Sequence, residues 1–558
     1  MMIPGMPRRK SSFSPAAVIA AISLAAGLIL APESVDGREP RVYAVINARI
    51  ITVSGQPIES GSVIVRNGVI ESVGAGVPVP ADARVIDAKG MTLYPGLIDA
   101  LSDAGLEEPA PATAQPAAPQ PNLTADERQG LTPYLQAADI LNPGNRKIEA
   151  ARAAGVTTAL VCPRRGFFQG QSSLINLGGN KLGEMVVKTP VFMHIGLGDR
   201  RGLGPGYPGS LMGALAFVKQ TLLDAQNYET AWGIYSASPG VPRPEYSRAL
   251  QSLVPAVKQQ IAVVLPGDTP AQIQRALDLA AGYKLRMILS GGAEAGKIAP
   301  LLKEANVPVL LSVRFPERDR DIDPHGEEEL SALRRRVEAP SHAAALSNAG
   351  VRFAFQSDAM ADPRDFVRNV ARTVEAGLDR AAALRSLTLT PAEIFGVADR
   401  IGSIEKGKCA NLILATGDIF DVRTRVRVVF VDGRMFEIPE SQSAHPGPTQ
   451  TAETAGGVAG TWVLRVNSPQ GPLEVTLKLQ QFGIDIAGTL SSPFGTVDIS
   501  EGTLSGAELK FKANINPSGT GNFIVSFTAI LQGAAMKGSA DAGIMGRMDF
   551  TGSRSPND

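Results

Sequence analysis

Between residues 41 and 88 the apolar positions fall in short β-branched runs separated by tight turns. Val42-Tyr43-Ala44-Val45-Ile46, Ala48-Arg49-Ile50-Ile51-Thr52-Val53, Ser62-Val63-Ile64-Val65 and Val69-Ile70-Glu71-Ser72-Val73 each read as a strand. Asn67-Gly68 predicts a hairpin turn between the last two, because both central residues of such a turn take positive φ. The small-strand pattern returns in Asn411-Leu412-Ile413-Leu414 and in Val426-Arg427-Val428-Val429-Phe430-Val431, followed by Asp432-Gly433. Between these blocks, apolar strands alternate with helices. The strands include Thr157-Thr158-Ala159-Leu160-Val161, Ile261-Ala262-Val263-Val264-Leu265, Met287-Ile288-Leu289, Val307-Pro308-Val309-Leu310-Leu311 and Val351-Arg352-Phe353-Ala354-Phe355. Residues 269–283 form a helix by spacing, with Ile273, Ala276, Leu277, Leu279 and Ala280 on one stripe. Alternation of this kind through residues 96–399 predicts an α/β architecture, most economically a (β/α)8-type barrel.

Two low-complexity segments interrupt the pattern. Residues 109–122 are Pro/Ala-rich and uncharged, a polyproline-like loop with no packing surface. Residues 441–457 are a Ser/Thr/Pro/Gly linker. Beyond it an all-β pattern resumes over 458–558: Glu474-Val475-Thr476-Leu477-Lys478-Leu479 alternates polar and apolar, Phe511 marks a second such segment, and Phe523, Val525 and Phe527 a third. A small barrel or sandwich is expected there.

At the other end, Arg8, Arg9 and Lys10 precede an apolar run at 16–31. That run is shorter than the ~20 residues of a bilayer span and suits the core of a signal peptide within residues 1–36. Leu28 stands where a lipidated cysteine would be, so lipid anchoring is not expected. The expected location is periplasmic or secreted, with no membrane attachment after cleavage. At 558 residues and 44% apolar the chain holds several cored domains. Lys+Arg and Asp+Glu are 54 each, so no global field attracts nucleic acid. Two cysteines exclude a disulfide scaffold.

The first β block runs into Met91-Thr92-Leu93-Tyr94-Pro95-Gly96-Leu97-Ile98-Asp99-Ala100. Further on come Leu389-Thr390-Pro391-Ala392-Glu393-Ile394-Phe395-Gly396, then Gly402-Ser403-Ile404-Glu405-Lys406-Gly407-Lys408 and Asn411-Leu412. Together they resemble the amidohydrolase superfamily, close to its imidazolonepropionase-like and prolidase-like branch. The resemblance implies a composite β-sandwich from residues 41–95 and 400–438 beside a barrel at 96–399. It also implies hydrolysis of C–N or related bonds by water on one or two divalent metals. The implied ligands are a His-x-His pair on the first barrel strand, a Lys or Glu on the fourth, a His on the fifth and on the sixth, and an Asp on the eighth.

Placed on this chain, that pattern breaks. Leu101-Ser102-Asp103 stands at the His-x-His pair, His194 at the bridging Lys, and Pro266-Gly267-Asp268 at the fifth strand. Gly291 occupies the sixth position, and only Asp358 matches. Four histidines in the whole chain, His194, His325, His342 and His445, cannot supply a standard site. Two readings of the survivors stay open. Asp358 is a relic tied to nearby backbone amides, or Asp103, His194 and Asp358 form a three-ligand site with Asp358 as the catalytic carboxylate. The expected cofactor is therefore none, or at most one divalent ion such as zinc. The segment 166–173 resembles a Gly/Gln/Ser loop of the same branch at the barrel mouth, which makes Gln169 and Gln171, with Arg164 beside them, candidates for binding a small or peptide-like ligand. Gly460-Thr461-Trp462 resembles the opening of lipocalin-like barrels. Three functions compete: a diverged or inactive amidohydrolase, a mononuclear hydrolase, and a binding protein working through its C-terminal module.

Overall fold

The computed structural model describes residues 42–106, 126, 128, 130–196, 210–238, 240–318, 328–358, 360–439, 458–468, 471–482, 485–492, 495–505, 508–515, 523–533, 535–541 and 547–554. The expected signal peptide at 1–36, the 109–122 and 441–457 segments, His325 and His445 lie outside the described residues. The chain divides into two compact units, Met1–His445 and Pro446–Asp558.

The first unit opens with β1 (Val42–Ile50), β2 (Ile58–Arg66), β3 (Val69–Gly74), β4 (Arg84–Asp87) and β5 (Thr92–Pro95). A ring follows: β6 (Leu97–Ser102), β7 (Val156–Val161), β8 (Phe168–Gln171), β9 (Ser173–Asn176), β10 (Val186–Lys188), β11 (Phe192–Ile195), β12 (Ala262–Gly267), β13 (Met287–Gly291), β14 (Val309–Ser312) and β15 (Phe353–Gln356). The chain then returns in β16 (Leu412–Ala415), β17 (Val426–Val431) and β18 (Arg434–Glu437). These last three join β1–β5 in one eight-stranded sheet of order β18-β17-β16-β5-β1-β2-β3, with β4 beside β1. Strands from both ends therefore interleave in one continuous hydrogen-bonded sheet. The sheet branches at β1, whose first half pairs with β4 and whose last residues pair with β5. Tyr43 and Phe430 meet edge-on at 5.4 Å and pack the two chain ends together.

The ring departs from an all-parallel barrel. β6–β7 and β11 through β15 pair in parallel, whereas β9 runs antiparallel to β7 and β8 antiparallel to β11. Residues 168–176 thus act as one reversed strand between the second and fourth positions. Its Gly/Gln/Ser composition reads as a loop, and pairing on both edges overrides that preference. Between β15 and β6 the ring closes through Ser357 N donating to Asp99 Oδ1 at 2.9 Å and Asp358 N donating to Leu101 O at 3.3 Å. Side chains alternate along each strand, so Ile98, Ala100, Leu160, Leu174, Phe192, Val264, Ile288, Leu310 and Ala354 fill the interior. Helices such as Pro270–Gly282 cover the outside; Thr269 and Gln272 form its capping box.

In the second unit, β19 (Gly460–Ser468), β20 (Gly471–Phe482), β21 (Asp485–Ser492), β22 (Gly495–Ser505), β23 (Glu508–Ile515), β24 (Phe523–Gln532), β25 (Ala535–Asp541) and β26 (Arg547–Arg554) pair consecutively and antiparallel. β19 also pairs with β26, which closes an up-and-down barrel. Trp462, Leu464, Leu477, Phe511, Phe527 and Phe550 point inward, while Arg465, Lys478 and Lys510 point out.

Candidate functional site

The strands of an α/β ring present their C-terminal ends to ligands. Two residues above the apolar layer, the inward positions become polar: His194 follows Phe192, Ser290 follows Ile288 and Gln356 follows Ala354. Gln356 donates to Leu310 O at 2.7 Å and to Ser290 Oγ at 3.1 Å, so its amide is fixed. His194 is 3% exposed and its Nε2 has no hydrogen-bond partner among the described residues. Burial, with the Arg164 charge adding to it, lowers the imidazole pKa to about 3, so the ring is neutral around pH 7. Burial also pushes the Cys162 thiol far up, which leaves it inert as a nucleophile.

Charged groups lie at the strand ends. Asp358 takes a left-handed backbone conformation (φ 50°), and its Oδ1 accepts from Arg164 Nη1 at 3.4 Å. Gln169 Nε2 donates to the Arg164 carbonyl at 3.3 Å, so Gln169 shapes the loop that carries the guanidinium. Asp103 is bonded to the Lys147 ammonium, which is positioned at the start of the helix Arg146–Ala153 by its Asn145 cap. Asp268 accepts from Ala293 N at 3.3 Å; burial first, then the charges of Asp358 and Glu294, raise its pKa. Gln171 does not reach the mouth: it is buried and donates to Pro133 O at 3.0 Å.

The residue that sequence reasoning missed is Asp99. It is 3% exposed, accepts from Ser357 N at 2.9 Å and Leu101 N at 3.3 Å, and joins the first ring strand to the last. Burial raises its pKa to about 6 despite those donors. A carboxylate inside the apolar run Leu97-Ile98-Asp99-Ala100-Leu101 was the available signal.

A binuclear metal set does not fit these residues. Leu101, which has no donor atom, fills the first ligand position. Gly291 has φ 100°, and a Cβ there would sit 2.5 Å from Asp268 Oδ1, so no imidazole can occupy the sixth-strand position without a rearrangement. Asp103 and Asp358 each face a cationic side chain. Among the described residues no three His, Cys, Asp or Glu side chains are grouped to hold an ion, and Asp103, His194 and Asp358 are not brought together as a ligand set.

The ring is an α/β barrel with polar residues at its C-terminal end, and residues 267–436 match the model of the Amidohydrolase family. The "Amidohydrolase tasK" of Hapsidospora irregularis is 23% identical over 417 residues, covering 67% of this chain and 39% of that protein. An adenine deaminase of Moorella thermoacetica is 30% identical over 117 residues, covering 20% of this chain and 19% of its own length. The chain thus spans about two fifths and one fifth of these curated relatives. The crystal structure of an amidohydrolase from Thermotoga maritima MSB8 is 27% identical with a TM-score of 0.60, covering 71% of this chain and all of that one.

Proposed function

We propose that this chain is an exported, diverged amidohydrolase that binds a small peptide-like or N-acyl compound at the ring mouth and has lost binuclear metal hydrolysis. One observation carries the reading: the two carboxylates left at ligand positions, Asp103 and Asp358, are neutralised by Lys147 and Arg164. An ammonium and a guanidinium supply the positive charge there that divalent ions supply elsewhere in the family. Arg164 keeps 35% of its side chain exposed and holds Asp358 by one long contact. A ligand carboxylate reaching it would take up the forked donor geometry of the guanidinium. Export is supported by Arg8, Arg9 and Lys10 ahead of the apolar run at 16–31.

A second reading is a mononuclear hydrolase: the free Nε2 of His194 favours it, since a neutral imidazole nitrogen without a partner is ready to ligate, but it requires Asp103 and Asp358 to leave Lys147 and Arg164 and converge on His194. Metal analysis separates the two. Full-length protein incubated with zinc and desalted should retain no stoichiometric ion, and neither Asp358→Ala nor Asp358→Asn should change that. Stoichiometric zinc that disappears in both variants would overturn the first reading and establish the second. Asn tolerates the left-handed backbone at position 358, so Asp358→Asn keeps the test valid if the Ala variant is unstable.

A further inference from the structure

At the opposite end of the ring, where the strands begin, lies a cavity of about 620 Å3. This volume is within the range of small-molecule sites. Its inner wall is apolar, formed by Phe192 and Ile288 from the ring interior and by Leu277 from the helix Pro270–Gly282. Its rim is cationic. Lys284 and Arg286 precede β13, and Arg352 immediately precedes β15. The only acidic residue in the lining, Glu393, is already held by Arg385 at 2.6 Å. Among the described residues no ion pair reaches Lys284, Arg286 or Arg352; Arg286 makes one neutral bond, Nη1 to Gln259 O at 3.2 Å. Three cations without counter-charges around one concavity focus a positive potential into it.

The geometry points to a second binding site, distinct from the mouth, for an amphipathic anion: an oxyanion head on the Lys284/Arg286/Arg352 rim and an aliphatic or aromatic body against Phe192 and Ile288. The wall and rim divide the recognition. Apolar burial holds the body without direction, and charge-assisted donors fix the head. A simple inorganic anion would leave the apolar wall unused, and a neutral hydrocarbon would leave the cations unpaired.

The head group is a carboxylate or a phosphate, and the probes distinguish them. Titration calorimetry of the full-length protein with monomeric decanoate, decyl phosphate, decanol and sulfate should show saturable binding by at least one amphipathic anion. The better of the two should bind roughly tenfold or more above decanol, which lacks the charge-assisted contact, and above sulfate, which lacks the apolar body. Arg352→Gln and, separately, Lys284→Gln should each weaken that probe several-fold, and Arg164→Gln at the mouth should not. Both substituted side chains are exposed, so the variants should fold; unchanged circular dichroism checks this. Equal affinities for sulfate and the amphipathic anions would overturn the proposal, as would rim variants that bind unchanged. Loss of binding in Arg164→Gln alone would move the ligand to the mouth and overturn it too.

Discussion

Two rings of strands are built from one chain, and they treat their interiors in opposite ways. The C-terminal barrel is sealed by its own side chains: Phe511 and Phe527 stack with centroids 4.7 Å apart, and Phe550 meets Phe527 edge-on at 5.9 Å. The Trp462 indole N–H, buried with this core, donates to Val458 O at 2.8 Å. The α/β ring has an apolar layer as well, but places His194, Ser290 and Gln356 above it and buries Asp99 between its first and last strands. A buried imidazole nitrogen without a partner costs about 1–3 kcal/mol. An antiparallel barrel of this size needs only residues that fill space. A ring that keeps unsatisfied polar groups gives up stability at the places where a ligand can restore it. The difference separates a structural interior from a receptive one.

The largest effect should come from breaking the sealed ring. Trp462 is 1% exposed, so Trp462→Ala removes a whole aromatic contact set and should cost about 3–5 kcal/mol. The chain folds as two compact units, so scanning calorimetry of the full-length protein should show only the C-terminal unit's transition falling. An unmoved transition, or saturable binding of an apolar ligand inside the wild-type barrel, would mean that the interior is a cavity.

The same contrast shows what the sequence makes visible. Turn chemistry is local and legible. Asn67 (φ 51°) and Gly68 (φ 84°) link β2 to β3, and Asp432 (φ 51°) and Gly433 (φ 74°) link β17 to β18. The two turns touch, since a Cβ on Gly433 would lie 2.5 Å from the Gly68 Cα. Helical spacing locates Pro270–Gly282 to within a residue of each predicted end. Alternation locates the inward aromatics Phe511 and Phe527. Non-local pairing is not legible: nothing in the Gly/Gln/Ser run at 166–173 says that it pairs antiparallel with two strands, or that Gln171 turns away from the mouth. The missing histidines were countable, whereas the partners Lys147 and Arg164 that face the remaining carboxylates had to be seen in three dimensions.

The second effect tests the buried charge of the receptive ring. Asp99 titrates near 6 when folded, against about 3.9 for an unperturbed aspartate. Between those values the folded state binds the extra proton, so stability falls as pH rises through that window. Above pH 6 the carboxylate is charged in both states, and its penalty of about 3 kcal/mol is complete. Asp99→Asn removes the titration while keeping an acceptor for Ser357 N and Leu101 N. Denaturant unfolding at pH 4 and pH 7 should therefore show the wild type losing about that much relative to the variant. A pH-independent difference would place Asp99 in a polar setting, and the contrast between the two interiors would narrow.

The smallest effect concerns the mouth itself. Arg164 and Asp358 are 35% and 41% exposed and 3.4 Å apart, which marks a loose pair screened by solvent. A double-mutant cycle of Arg164→Gln and Asp358→Asn should return a coupling below about 1 kcal/mol in the stability of the first unit. Added salt should erase most of it, because an exposed pair is screened within a Debye length of ~8–10 Å. The weak coupling matters for function: a guanidinium bound so lightly can leave Asp358 for an incoming carboxylate at little cost, whereas a tightly coupled pair would have to be broken first. A coupling of several kcal/mol would make the Arg164–Asp358 contact a structural clasp, and the mouth would then join the C-terminal barrel as an interior closed by its own residues.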